Sequence, residues 1–309
     1  MISSLQMNHF LTLLSIATIL FFSCQNFEKI ESQKTYVVLG HIYDWTADGS
    51  RIDKRLEKVN FKNYKGIWLG GDICSETTKS SETIKYLDHH FNLESAHTLW
   101  ALGNHDIRNG NFEFIQNITN RDSYYSYDFE AGQVIVLNTQ MTHDLMKDSC
   151  EWRANQGDFF HDQLDQILIS EGQIDNLIIF SHQAIWSDCE QPLTNYERIG
   201  NQKAAWMSFY CGKLSTFRTE YFNKLKEIQN QGINVICVAG DGGQYQKTFY
   251  QKGYSDIQYY VTGINNSVLK TNNDVLISKY NSEPDSVLIF KFDNIDKSFN
   301  GEYIPLENL

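Results

Sequence analysis

The stretch Leu102-Gly103-Asn104-His105-Asp106 decides the reading of this chain. It closes an apolar run with a glycine and then three side chains able to bind metal or move protons. Three other runs end in the same way. Upstream lies Trp68-Leu69-Gly70-Gly71-Asp72; downstream come Ile179-Phe180-Ser181-His182 and Val238-Ala239-Gly240-Asp241-Gly242-Gly243. Strands covered on both faces read as continuous apolar runs, and the loops beyond them carry function on a rigid scaffold. These repeated run ends predict one metal-binding face assembled from several strand ends.

The flanking segments fit an α/β core. Residues 35–40, 65–70 and 98–102 have strand character, and 52–59 and 82–91 have helical spacing. Residues 123–129 and 133–138 flank Glu130-Ala131-Gly132 and predict an antiparallel hairpin. Residues 159–169 place Phe160, Leu164, Ile167 and Leu168 on one helical face. Strands are predicted at 176–180 and 233–239, with 204–231 largely helical and a break near Gly212. Residues 257–262, 274–279 and 287–292 read as a closing meander. Trp206, Phe209, Tyr210 and Phe217 recur at helical spacing and are assigned to the core. His89, His90, His97 and His161 are assigned to surface or packing roles. With only 3 prolines in 309 residues and no low-complexity linker, residues 34–309 read as one domain.

Composition narrows the partners. A net charge of −12 repels a polyanion, so no nucleic acid is expected. A small phosphorylated ligand stays compatible, because bound cations reverse the local field. The apolar run at residues 10–22 has the length of a signal-peptide core, not of a spanning helix. Ser23-Cys24 at its end resembles a bacterial lipoprotein cleavage site. Residues 1–24 are therefore read as a signal peptide ending at a lipidated Cys24, and 25–33 as a tether. The expectation is export, with anchoring to the membrane at the periplasm or cell surface; plain secretion is the alternative. Export permits disulfides. Cys150 and Cys189, both in polar segments, are the expected pair, and Cys237 is expected to be a buried thiol. The lack of a CxxC spacing argues against a structural zinc site.

The order of these motifs resembles the calcineurin-like metallophosphoesterase superfamily, which includes the purple acid phosphatases. Gly-Asp follows one strand, Gly-Asn-His-Asp the next, and a later strand ends in His. The resemblance spans roughly residues 35–292. It implies two packed mixed β-sheets flanked by helices, a four-layer α/β sandwich with its site at the strand ends. It implies one or two divalent ions (Mn, Fe, Zn or Mg), with Asp72 as the bridging ligand and Asn104 and His182 as ligands of the second ion. His105 would contact the substrate phosphate and protonate the leaving oxygen, Asp106 would orient His105 by a hydrogen bond, and a metal-bound hydroxide would attack phosphorus.

Two motifs depart from the family pattern. The opening Asp-x-His is His41-Ile42-Tyr43, followed by Asp44. The closing Gly-His-x-His is Gly240-Asp241-Gly242-Gly243, followed by Gln244. The exchange is partly reciprocal, His41 standing for Asp and Asp241 for His. The second ion keeps Asp72, Asn104, His182 and Asp241. The first keeps His41 and Asp72, with Tyr43, Asp44, His143 and Gln244 as additional candidates; aromatic packing competes for Tyr43 and a solvated loop for His143. Trp186 and Asp188 are expected to overhang the site. The leading expectation is an exported phosphoesterase acting on a small phosphorylated substrate or an envelope glycan phosphate. The alternative is a catalytically weak or inactive lipoprotein of this fold, acting as a binding or assembly module at the cell envelope.

Overall fold

A computed structural model describes residues 33–44, 48–140, 149–170, 172–190, 207–242, 247–264 and 284–309. Cys24, His143, Trp206, Gln244 and the strand expected at 274–279 lie outside them. Among the described residues, eleven strands form two mixed sheets. The first, ordered β11-β10-β1-β2-β3, holds β1 (Gln33–Leu39), β2 (Gly66–Leu69) and β3 (Thr98–Trp100) in parallel. The antiparallel hairpin β10 (Ser286–Asp293) and β11 (Phe299–Pro305) extends it from β1. The second sheet is ordered β4-β5-β6-β7-β9-β8. Its parallel centre is β5 (Gly132–Leu137), β6 (Asn176–Ser181), β7 (Asn234–Ala239) and β9 (Gln258–Thr262). The edges β4 (Tyr125–Phe129) and β8 (Thr248–Lys252) run antiparallel.

The period-2 alternation of strand side chains builds four layers. Tyr36, Val38, Trp68, Phe180, Val238, Leu288 and Phe290 point between the sheets, with Trp68 wholly enclosed. Their neighbours Val37, Leu39, Ile67 and Leu69 face the other way, against Ile84, Leu87 and Phe91 of α1 (Ser81–Phe91). On the second sheet, Ile135, Leu177, Ile179 and Val235 meet Phe160 and Leu164 of α4 (Ser149–Ile169). Leu225 and Ile228 of α6 (Phe222–Asn230) join the same layer. Both faces of each central strand are covered, which explains why the sequence shows unbroken apolar runs. Short helices α2 (Asn104–Ile107), α3 (Glu113–Thr119) and α5 (Phe217–Glu220) complete the described set. No helix among the described residues is long and apolar enough to cross a membrane.

Four expectations are corrected. Residues 52–59 hold only a 3-10 turn at Leu56–Lys58, because Ile52 pairs with Tyr43 as a β-bridge and the Asp53 carboxylate takes the Arg55 amide and guanidinium. The described part of 204–231 is helical only in α5 and α6. Ser208 and Ser215 hydroxyls bond each other and the carbonyls of Tyr210 and Lys213, holding a loop that competes with the helix. The closing strands do not form one meander: β9 and β10 belong to different sheets. The disulfide is Cys150–Cys211, while Cys189 is a buried thiol, as are Cys74 and Cys237. Cys150 lies in the first turn of α4 facing that serine-held loop, whereas Cys189 turns into the core beneath β7 and β9.

Candidate metal centre

The chain ends of β1, β2 and β7 converge so tightly that only glycine fits. A Cβ on Gly240 would stand 2.0 Å from the Gly70 carbonyl oxygen, and one on Gly40 would stand 2.2 Å from that of Gly240. This crossing brings together the loops that follow three strands drawn from both sheets. Gly240 and Asp241 amides donate to the His182 carbonyl at 2.9 and 2.7 Å, which fastens the β7 loop to the end of β6.

His41, Asp72 and His182 meet at this crossing, with ligand atoms within 4.8 Å of one another. His41 Nε2 lies 3.0 Å from Asp72 Oδ2, and His182 Nε2 lies 3.7 Å from the same oxygen. Asp241 Oδ1 stands outside the tightest group but faces both imidazoles, 3.6 Å from His41 Nε2 and 3.7 Å from His182 Nε2. These sides are close to the ligand–ligand separation of about 3.3 Å that bonds of about 2.0–2.1 Å impose on a tetrahedral site. The donor set, two imidazole nitrogens and two carboxylate oxygens, suits zinc and its neighbours.

The orientation of these atoms is imposed from behind. A carbonyl oxygen only accepts, so His182 Nδ1 donates to Gly70 O at 2.7 Å and Nε2 keeps its lone pair. Asp72 Oδ1 accepts the His105 amide at 2.8 Å, leaving Oδ2 for the ring. His182 Nε2 and Asp72 Oδ2 are both buried without a hydrogen-bond partner, and His41 Nε2 approaches the same carboxylate oxygen as an ion-pair partner. An unmet buried acceptor costs roughly 1–3 kcal/mol, so two aimed at one place fit a cation. The backbone adds a second sign: His41 and Asp72 both adopt left-handed conformations, φ 54° and 55°. Each costs about 1–3 kcal/mol, a type of strain that clusters at functional sites. Burial works to raise the Asp72 carboxyl, but His182, His41 and His105 together hold it well below the usual carboxylate range.

Asn104 and His105 open α2 immediately beyond β3. His105 Nδ1 donates to Ser75 O at 3.0 Å, and its Nε2 accepts from Arg108 Nη2 at 3.0 Å. Burial lowers the His105 imidazole below its ordinary value; Arg108 and His41 act in the same direction and Asp72 against it. The expected bond from Asp106 to His105 is not formed. Asp106 is fully buried and accepts from the Asp72, Ile73 and Gly103 amides, Thr77 Oγ1 and Trp100 Nε1, at 2.8–3.2 Å. It therefore shapes the Asp72 loop. The reason is geometric: Asp106 sits one residue on from His105 in a helical turn and faces the sheet.

Tyr43 is 2% exposed and stacks on His105 with ring centres 4.9 Å apart. Burial, reinforced by Asp72, raises its phenol far above the ordinary range while Arg108 works against the shift. Asp44 is buried and pairs with Lys54 at 3.8 Å, outside the ligand group. Trp186 is enclosed in the core against Tyr259 and does not overhang the site; Asp188 is half-buried two residues on. Arg121 donates to the carbonyls of Thr98 and Ser95. The sequence did not place Arg108 at the site, although its helical spacing of three from His105 was the available signal.

The fold and the site define an α/β sandwich of two mixed sheets between helices, with metal-capable side chains on the loops after β1, β2, β6 and β7, the arrangement that the resemblance to the calcineurin-like metallophosphoesterases implies. No protein-family model matches the sequence, and no curated protein matches it. Among solved structures, the chain is similar to vacuolar protein sorting 29 from Cryptosporidium parvum, at 9% identity and a TM-score of 0.34, covering 88% of this chain and 97% of that one. It is also similar to wild-type Vps29 complexed with zinc from Entamoeba histolytica, at 10% identity and TM-score 0.30, over 88% and 99% of the two chains. Vps29 of Chaetomium thermophilum gives 10% identity and TM-score 0.32, over 88% and 94%.

Proposed function

We propose that the protein holds one divalent ion on His41, Asp72, His182 and Asp241 and uses it to bind a phosphorylated ligand, with weak or no hydrolysis, as an exported lipid-anchored module of the cell envelope. One observation carries this reading: four ligand atoms from four strand-end loops face one place, while Tyr43, at the position of the family's other histidine ligand, is a buried aromatic ring stacked on His105. A divalent ion at that place would supply Lewis acidity toward a phosphoryl oxygen, which would enter as a fifth ligand beside the four side chains. His105 contributes little acid catalysis, because its site-facing Nε2 bears a lone pair engaged by Arg108 and burial opposes its protonation. Export is supported by the Cys150–Cys211 disulfide and by the apolar run that ends at Ser23-Cys24.

The second reading, a working phosphoesterase, is favoured by His105 Nε2 standing 3.9 Å from Asp72 Oδ2, within reach of a leaving group bound beside the ion. Inorganic phosphate binding and hydrolysis of aryl phosphate mono- and diesters, measured on the same samples loaded with Mn, Zn, Fe or Mg, separate the two. Metal-dependent phosphate binding with turnover far below about 1 s⁻¹, the lower end of common enzyme rates, supports the binding module. Turnover within the common range replaces it by the esterase, and phosphate binding indifferent to metal overturns both.

A further inference from the structure

On the reading that this centre holds a divalent ion, its charge decides what draws an anion to it. One such ion on two carboxylates and two neutral imidazoles has zero net charge. A phosphate dianion therefore needs attraction from a further cation. Among the described residues, Arg108 is the cationic side chain brought within hydrogen-bonding distance of the site. Its Nη2 donates to His105 Nε2 at 3.0 Å, and that same Nε2 lies 3.9 Å from Asp72 Oδ2.

The guanidinium is held from two sides. Nη1 faces Glu76 Oε1 at 3.9 Å, and Glu76 is fixed by the Asn109 side-chain amide at 2.6 Å through its other oxygen. Behind it, His105 is clamped between the Ser75 carbonyl and the Tyr43 ring. The Arg108 side chain is 36% exposed, so its remaining N–H donors are open to an incoming ligand. A guanidinium offers five donors in a planar fork matched to two oxygens of a phosphate.

We propose that Arg108 is the anion-recognition residue of the site, supplying beside a single divalent ion the positive charge that a second ion provides in a dinuclear centre. The ligand class is a terminal phosphate with at least two free oxygens, one on the ion and one or two on Arg108. A phosphomonoester satisfies this better than a diester.

The test is calorimetric titration of inorganic phosphate into the metal-loaded full chain, with metal content measured on the same samples. Arg108→Gln is expected to keep its metal and its fold while weakening phosphate at least tenfold, and Arg108→Lys to recover part of the loss. Glu76→Gln, which frees the guanidinium, is expected to bind phosphate as tightly as the parent or more so. Phosphate affinity unchanged in both Arg108 variants, with metal retained, overturns the role of Arg108 and leaves the metal-binding reading standing. A parent protein that takes up no metal, or binds no phosphate once loaded, overturns both. Loss of metal from Arg108→Gln and Arg108→Lys alike would make Arg108 a support of the ligand ring and also overturn the proposal.

Discussion

Gly240→Ala tests whether the glycine crossing is what assembles the centre. The added Cβ would stand 2.0 Å from Gly70 O and 2.5 Å from both Gly70 C and Cα. Carbon contacts become favourable only near about 3.5 Å, so the ends of β2 and β7 must part by more than about 1 Å. The obstacle is backbone, so no rotamer relieves it. Overpacking costs about 1–3 kcal/mol, and the upper end is expected because both partners are fixed in sheets. The same displacement widens the ring: Asp241 follows Gly240 directly and Asp72 lies two residues beyond Gly70. Metal affinity should fall at least tenfold, about 1.4 kcal/mol. The control is Gly172→Ala, where φ is +75° but nothing lies within 4 Å. It should lose about 1–2 kcal/mol from the left-handed backbone with metal affinity unchanged. Urea unfolding and a competitive-chelator titration read both quantities. A Gly240→Ala protein with parental stability and parental metal affinity would refute the reasoning.

Three further outcomes are expected. Asp72→Asn should fold but lose the thermal stabilisation that metal confers on the parent, about 2.7 kcal/mol at a hundredfold excess over Kd; an undiminished melting shift in the variant would remove Asp72 from the ligand set. Tyr43→Phe should retain metal uptake, since the variant keeps the ring that packs on His105 and His41; metal loss on elemental analysis would make Tyr43 a ligand. Replacing Cys150 and Cys211 by serine opens a loop with a sequence separation of 61 and should cost up to about 4 kcal/mol in urea unfolding; a change under about 1 kcal/mol would mean the bond is dispensable.

The layers were legible because the central strands are buried on both faces, and such strands leave unbroken apolar runs that stop at the functional loops. His41, Asp72, His182 and Asp241 were visible for the same reason: each follows a run of this kind. Segments whose conformation depends on side chain-to-backbone bonds were not legible. Asp53 and Arg55 stop a helix that periodicity alone allows, and Ser208 and Ser215 do the same in the loop before α5. The disulfide partner was hidden because Cys150 and Cys211 are joined across the α4 and loop packing, not by any spacing rule. The resemblance implies a bond from Asp106 to His105. The true partners of Asp106, the Asp72 loop amides and Trp100, depend on which way one turn of helix faces.

The most direct test of the account is the number of ions the chain holds. The full chain is loaded with zinc or manganese, freed of excess ion and analysed for metal beside its Asp72→Asn variant. One ion per chain is expected in the parent and none in the variant. Two ions per chain, or one that survives in Asp72→Asn, would contradict it.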